Sequence, residues 1–280
     1  MLFAIQHHTH YRYNQPVVFE PHFLRFKPRE DPFQKLLKFR ISIKPEPAGI
    51  SEQIDLDGNT IHQIWFNGLF QGLEVQSSAL IETGNTNPFN YLVYPESALN
   101  LPMHYPQDTE NSLKPYTTPA TDSIEILQFA EEIANEADQQ IIPFLMHLTR
   151  KINQEFQKQY RKVGEPYPPA KMLAEKKGAC RDLAVLFMET CRALGFATRF
   201  VSGYYFDESS KNKQDLHSWV EVYIPGGGWR GFDPSIGLAT TDCHIAVAAS
   251  AIPHMTTPIV GAFQGKAESS LTTDIKVLSL

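Results

Sequence analysis

The sequence predicts an α+β protein. An antiparallel β domain covers residues 1–83, a proline-rich linker covers 84–121, and a second domain covers 122–280, where helices precede an antiparallel sheet. Three observations carry this reading. Apolar residues alternate with polar ones through the first third, the period of half-buried strands. Prolines then crowd residues 84–121. Beyond 122 the apolar spacing becomes three and four, and after 196 it returns to two.

Taken in order, Phe3, Ile5, His7, Thr9 and Tyr11 alternate with polar partners, as do Leu37, Phe39, Ile41 and Ile43. Asp57-Gly58 separates two apolar runs, 54–56 and 61–66, and is a hairpin signal. Leu73, Val75, Ser77, Ala79 and Ile81 continue the alternation, while Pro16, Pro21, Pro28, Pro32, Pro45 and Pro47 mark edges and turns. The size suits a small sandwich. In the linker, Pro88, Pro95, Pro102, Pro106, Pro115 and Pro119 oppose regular structure.

Helices are predicted next. Asp122 can cap one carrying Ile126, Phe129, Ile133 and Ala137 on a stripe. Pro143 suits the first turn of another, with Leu145, Leu148, Ile152 and Phe156. Pro169 opens a short helix ended by Gly178, and a further helix runs from about Cys180 to Leu194, closed by Gly195. Strands follow at 197–206, 216–224 and 229–233, the last two joined by Pro225-Gly226-Gly227-Gly228.

The composition excludes several classes. With 280 residues, 42% hydrophobic and 20% charged, the chain is globular, and a net charge of −6 asks for neither nucleic acid nor an anionic membrane surface. No apolar run approaches a membrane span, and residues 1–13 lack the basic start and apolar stretch of a signal peptide. Three cysteines without a C-x-x-C pair form neither a disulfide framework nor a zinc site. Free thiols fit a reducing compartment, so a cytoplasmic protein is expected. His8 and His10 share one face of a strand while His7 points away, which leaves a metal site without a third ligand. Lys171, Lys176 and Lys177 read as a solvated helix face, and no metal or cofactor is expected.

Chemistry concentrates at Cys180. It follows Gly178-Ala179 at a helix start, where unpaired amides and the helix dipole lower a thiol pKa and can hold an oxyanion. Cys191 sits mid-helix with Phe187 and Leu194 and reads as core; Cys243, between Asp242 and His244, reads as structural. His217 opens a strand after the polar loop 207–215, and Asp233 ends the next. Nucleophile, base and orienter can meet from a helix start and two paired strands.

Side-chain parity constrains that meeting. A regular two-residue Gly226-Gly227 loop would pair Pro225 with Gly228 and set Asp233 opposite Val220. The side chain of Val220 points away from the face of His217. A triad therefore requires an odd-residue loop or a bulge that moves the register by one. Three consecutive glycines suit this, since a left-handed or bulge residue costs least at glycine.

The chain resembles the bacterial transglutaminase-like proteins. The resemblance rests on Gly178-Ala179-Cys180-Arg181-Asp182-Leu183-Ala184, Cys191-Arg192-Ala193-Leu194-Gly195, Val201-Ser202-Gly203-Tyr204, His217-Ser218-Trp219-Val220-Glu221-Val222, Gly228-Trp229 and Phe232-Asp233-Pro234, in this order. His8-Thr9-His10-Tyr11-Arg12-Tyr13 with Pro16-Val17, Leu24-Arg25-Phe26-Lys27-Pro28-Arg29, Asp242-Cys243-His244-Ile245-Ala246-Val247-Ala248 and Pro258-Ile259-Val260-Gly261 extend it over nearly the whole chain. It implies a papain-like transglutaminase core behind an all-β domain, with Cys180 as nucleophile, His217 as acid and base, and Asp233 as orienter. Tyr160 falls near an aromatic position from which a hydroxyl could assist the oxyanion, although a tyrosine at a helix end reads equally well as core. Asp182 reads as a first-turn carboxylate favourable with the dipole. The calcium sites of animal transglutaminases have no counterpart.

The function expected is acyl transfer from an amide or peptide bond through a Cys180 thioester, hydrolytic as in a cysteine protease or amidase. Its partner would be a peptide, a protein or a small amide. The alternatives are a protein-glutamine transglutaminase, with an amine as acceptor, and a non-catalytic peptide-binding module, which would have no need of all three residues.

Overall fold

A computed structural model of the chain describes residues 1–161, 163–208 and 214–280, so part of the polar loop, 209–213, lies outside the described residues. The first half contains β1 (Leu2–Phe19), β2 (His22–Leu24), β3 (Gln34–Lys44), β4 (Gly49–Ile54), β5 (Thr60–Trp65) and β6 (Phe70–Thr83). Then come α1 (Gln107–Thr117), α2 (Ile124–Glu136), α3 (Ile141–Glu155), β7 (Gln157–Lys158), α4 (Pro169–Glu175), β8 (Lys177–Gly178) and α5 (Cys180–Ala193). The chain closes with β9 (Thr198–Tyr205), β10 (His217–Ile224), β11 (Gly228–Asp233), β12 (Leu238–Ala239), β13 (His244–Ser250), β14 (Ile259–Val260), β15 (Phe263–Gln264) and β16 (Ser269–Ser279).

The alternation at the start of the chain makes β1, which buries Phe3, Ile5, His7 and Thr9 on one face. Pro16 does not end it. Pairing with β6 lapses between Arg12 and Val17, so no ladder donor is required of the proline. Strands β15, β1, β6 and β3 form one sheet with β16 also on β1, and β14, β2, β5 and β4 form a second. Tyr13, Val17, Phe19, Leu24, Phe26 and Ile64 pack in one cluster that includes strands of both sheets.

The third sheet, ordered β12-β11-β10-β9-β13, carries the second half. Val220, Val222, Ile224 and Phe232 pack with Leu183, Phe187 and Cys191 of α5. Elsewhere on this sheet Tyr204, Ile245 and Val247 meet Phe3, Ile5 and Ile81 of the first half and Val277 of β16. Each such buried side chain contributes about 1.5–3 kcal/mol. The layers are thus helices, third sheet and N-terminal sheet, with the two halves sharing a core.

Several elements differ from expectation. Residues 84–121 hold α1, in which Pro115 stands near the C-terminal end and its missing amide removes a single intrahelical bond. Ser123, not Asp122, caps α2, with Ile126 N–H donating to its hydroxyl at 3.4 Å. Helix α4 stops at left-handed Lys176 rather than at Gly178. At Gly178 a Cβ would lie 2.6 Å from Met172 Cε and 2.8 Å from Asp182 Cβ, so this glycine permits close packing. The last three strands join the first half of the fold. Their pairing puts β14, β15 and β16 in the N-terminal sheets, with β16 matched to β1 from Phe3↔Ser279 to Tyr13↔Ser269. Among the described residues no helix is long and apolar enough to cross a membrane.

Candidate active site

Helix α5 begins at Cys180. The carbonyl of Ala179 accepts from the amides of Asp182 and Leu183, at 2.9 and 3.1 Å. The amides of Cys180 and Arg181 have no intrahelical acceptor by helix geometry and supply positive potential at the sulfur. Asp182 fixes this start. Fully buried, its carboxylate accepts from Ala179 N–H at 2.7 Å, from Tyr167 N–H at 2.7 Å and from Arg161 Nη2 at 2.5 Å. The expected first-turn carboxylate therefore also anchors the segment that carries Arg161 and Tyr167.

His217 and Asp233 are set by the β10–β11 hairpin. Ile224 pairs with Gly228, leaving Pro225-Gly226-Gly227 as a three-residue loop in which Gly227 N–H donates to Ile224 O at 2.8 Å. Gly226 and Gly228 have φ of 79° and 72°, the left-handed region glycine tolerates. The odd loop moves the register by one, as the parity argument requires: Val220 pairs with Phe232, which places Asp233 level with Trp219. His217 Nε2 then lies 2.5 Å from Asp233 Oδ2. With Nε2 on the carboxylate, Nδ1 is the nitrogen left for Cys180, which lines the same cavity. Ser218 donates its hydroxyl to Cys180 Sγ at 3.3 Å.

The electrostatics follow. Burial opposes charge on all three groups. Against it, Asp233 raises His217 to about 10, and His217 and His244 hold Asp233 well below the usual carboxylate range. Burial also raises the Cys180 thiol, but the His217 hydrogen bond and charge and the Ser218 hydroxyl bring it below its ordinary value. Burial pushes Cys191 well above that value, and burial with Asp242 raises Cys243. A thiolate–imidazolium pair is the state these shifts favour.

Residues that sequence reasoning left without a role complete the site. Ser235 donates both N–H and Oγ–H to Asp233 Oδ1, at 2.8 and 2.7 Å. His244 Nε2 lies 3.2 Å from Asp233 Oδ2. The Asp-Pro-Ser spacing could have flagged Ser235, because a side chain two residues on can bond the aspartate locally. His244 meets Asp233 only through tertiary pairing. His217, Asp233 and His244 offer ligand atoms within 4.8 Å of one another, a set that could hold a metal, although the hydrogen bonds to Asp233 already account for the convergence.

The thiol opens onto a cavity of about 620 Å³. Cys180, Arg181, His217 and Ser218 line it, together with His7, Thr9 and Tyr11 of β1 and Thr273 of β16. Tyr160 also borders it, but is 69% exposed and directs its hydroxyl to Asp215 Oδ1 at 3.5 Å.

Comparison with known proteins bears on this geometry. The model of the bacterial transglutaminase-like N-terminal region matches residues 3–82, and that of the transglutaminase-like superfamily matches 127–234. These two matches liken residues 3–82 and 127–234 to the transglutaminase-like superfamily. Cys180, His217 and Asp233 all fall inside the second match. A solved structure of a candidate cysteine protease from Cytophaga hutchinsonii superposes with a TM-score of 0.73 at 18% identity, covering 100% of this chain and 91% of that one, a likeness of fold. An uncharacterized protein of Mycobacterium tuberculosis is 23% identical over 287 residues, 96% of this chain and 90% of its own length. One from Mycobacterium leprae is 25% identical over 113 residues, so the match spans 39% of this chain and 40% of that protein.

Proposed function

We propose that the protein is a cysteine-nucleophile hydrolase of amide or peptide bonds, acting through a thioester on Cys180. The observation that carries this reading is the placement of one imidazole, His217, between the thiol of Cys180 and the buried carboxylate of Asp233. The thiolate attacks the substrate carbonyl, and the new oxyanion faces the first-turn amides of α5. His217 Nδ1–H gives its proton to the leaving nitrogen as the C–N bond breaks, and the amine departs. Water then attacks the thioester and passes one proton to His217. The C–S bond breaks, the acid leaves, and thiolate and imidazolium are restored. Asp233 holds the ring in the tautomer and orientation both steps use.

The test is a panel of protein, peptide and small amide substrates, each offered with and without a primary amine, to wild type and Cys180→Ala. Cleavage by the wild type that Cys180→Ala abolishes supports hydrolysis. Incorporation of the amine in place of water assigns a transglutaminase. Equal turnover by both proteins contradicts the proposal.

A further inference from the structure

Asp233 Oδ2 accepts from two imidazoles, not one: His217 Nε2 at 2.5 Å and His244 Nε2 at 3.2 Å. The state of the second ring follows from its other nitrogen. Thr241 N–H points at His244 Nδ1 from 3.2 Å. A backbone amide always carries its proton, so Nδ1 must present a lone pair there, and the proton of the neutral ring sits on Nε2, aimed at Asp233. The ring is buried as the first residue of β13, paired with Tyr205 of β9. Tyr205 lies at 4.8 Å between ring centroids and Trp219 at 5.2 Å, edge-on. The ionisable groups that bear on it are Asp233 of β11 and His217 of β10.

We propose that His244 is a positioning residue: a neutral Nε2–H donor that, with Ser235 on the other oxygen, holds the Asp233 carboxylate turned toward His217. A neutral donor has a specific advantage at this place. It restrains the carboxylate without adding a cation, so the negative charge of Asp233 remains available to the imidazolium of His217. A lysine or arginine there would cancel it. Burial and the charge of His217 both act to keep His244 neutral, against the pull of Asp233 and of the Thr241 backbone.

The inference rests on the Cys180–His217–Asp233 reading, and its test separates the two. The rate of Cys180 alkylation by iodoacetamide is measured against pH in wild type, His217→Ala, His244→Leu and His244→Gln, with near-ultraviolet circular dichroism to confirm folding. Loss of the donor should let the carboxylate turn, weaken the imidazolium and raise the labelling midpoint of His244→Leu by roughly one pH unit, a tenfold loss of thiolate at fixed pH. Glutamine, a neutral donor of similar reach, should restore the wild-type midpoint. A His244→Leu midpoint that is unchanged or lowered overturns the role of His244. A wild-type midpoint in His217→Ala instead overturns the underlying triad. Nitrogen-15 spectra of histidine-labelled wild type require no substitution. Between pH 6 and 9 they should show His244 as the Nε2–H tautomer, and an Nδ1–H tautomer or a cation would overturn the proposal.

Discussion

Val220 pairs with Phe232 across the β10–β11 ladder, and this register puts Asp233 on the same face as His217. The three-residue loop is the cause, since a loop of two residues would turn Asp233 to the other face. Deleting Gly227 should therefore return the Cys180 labelling midpoint to the ordinary thiol range and lower kcat by roughly 10²–10⁴-fold. A folded deletion variant with the wild-type midpoint would show that the register does not set the site.

The shifts in His217 and Asp233 make stability depend on pH. Asp233 is depressed, so its contribution is present above the unfolded carboxylate value of about 3.9 and is lost as pH falls below it. His217 is raised, so its contribution is full below about 6.5 and is lost as pH rises to about 10. The two belong to one coupled pair. Wild type should melt highest between these limits, and Asp233→Asn should give a flatter profile without the alkaline decline. Parallel Tm curves for the two proteins between pH 3 and 11 would count against the pairing.

Asp182 joins two backbone amides and Arg161 at the start of α5. Asp182→Ala leaves two amides and the half-buried Arg161 without their acceptor, which should destabilise the fold by about 3–5 kcal/mol in urea unfolding. A loss below about 1 kcal/mol would mean that water or a shifted loop replaces the carboxylate.

Tyr160 is tied to Asp215 and exposed. Tyr160→Phe should change kcat by less than about threefold, against the 10²–10³-fold expected on removing an oxyanion donor. A hundredfold fall with KM unchanged would place its hydroxyl on the oxyanion during turnover.

Much of the fold was legible because alternation and helical spacing are local. Phe3 to Tyr11 announced β1, and Pro143 and Gly195 marked helix ends. The requirement for an odd loop was legible too, because parity is geometry that Gly226-Gly227-Gly228 makes affordable. Partner choice was not. The last strand, which carries Ile275 and Val277, was not legible, because its partner β1 lies at the other end of the chain. His244 was unreadable for the same reason: its place beside Asp233 depends on pairing with Tyr205, distant in sequence. Asp182 is legible as a carboxylate favourable with the helix dipole, but its bonds to Arg161 and Tyr167 depend on how an irregular segment folds back.

The most direct test is residue-resolved alkylation of the three thiols in the wild-type protein against pH. Buried Cys191 and half-buried Cys243 are both shifted up, and Cys180 alone is shifted down. Mass spectrometry of peptides labelled with iodoacetamide should find Cys180 modified first, with a midpoint below the ordinary thiol value of about 8.5. A Cys180 midpoint at or above that value, or earlier labelling of Cys243, would contradict an activated nucleophile at the head of α5.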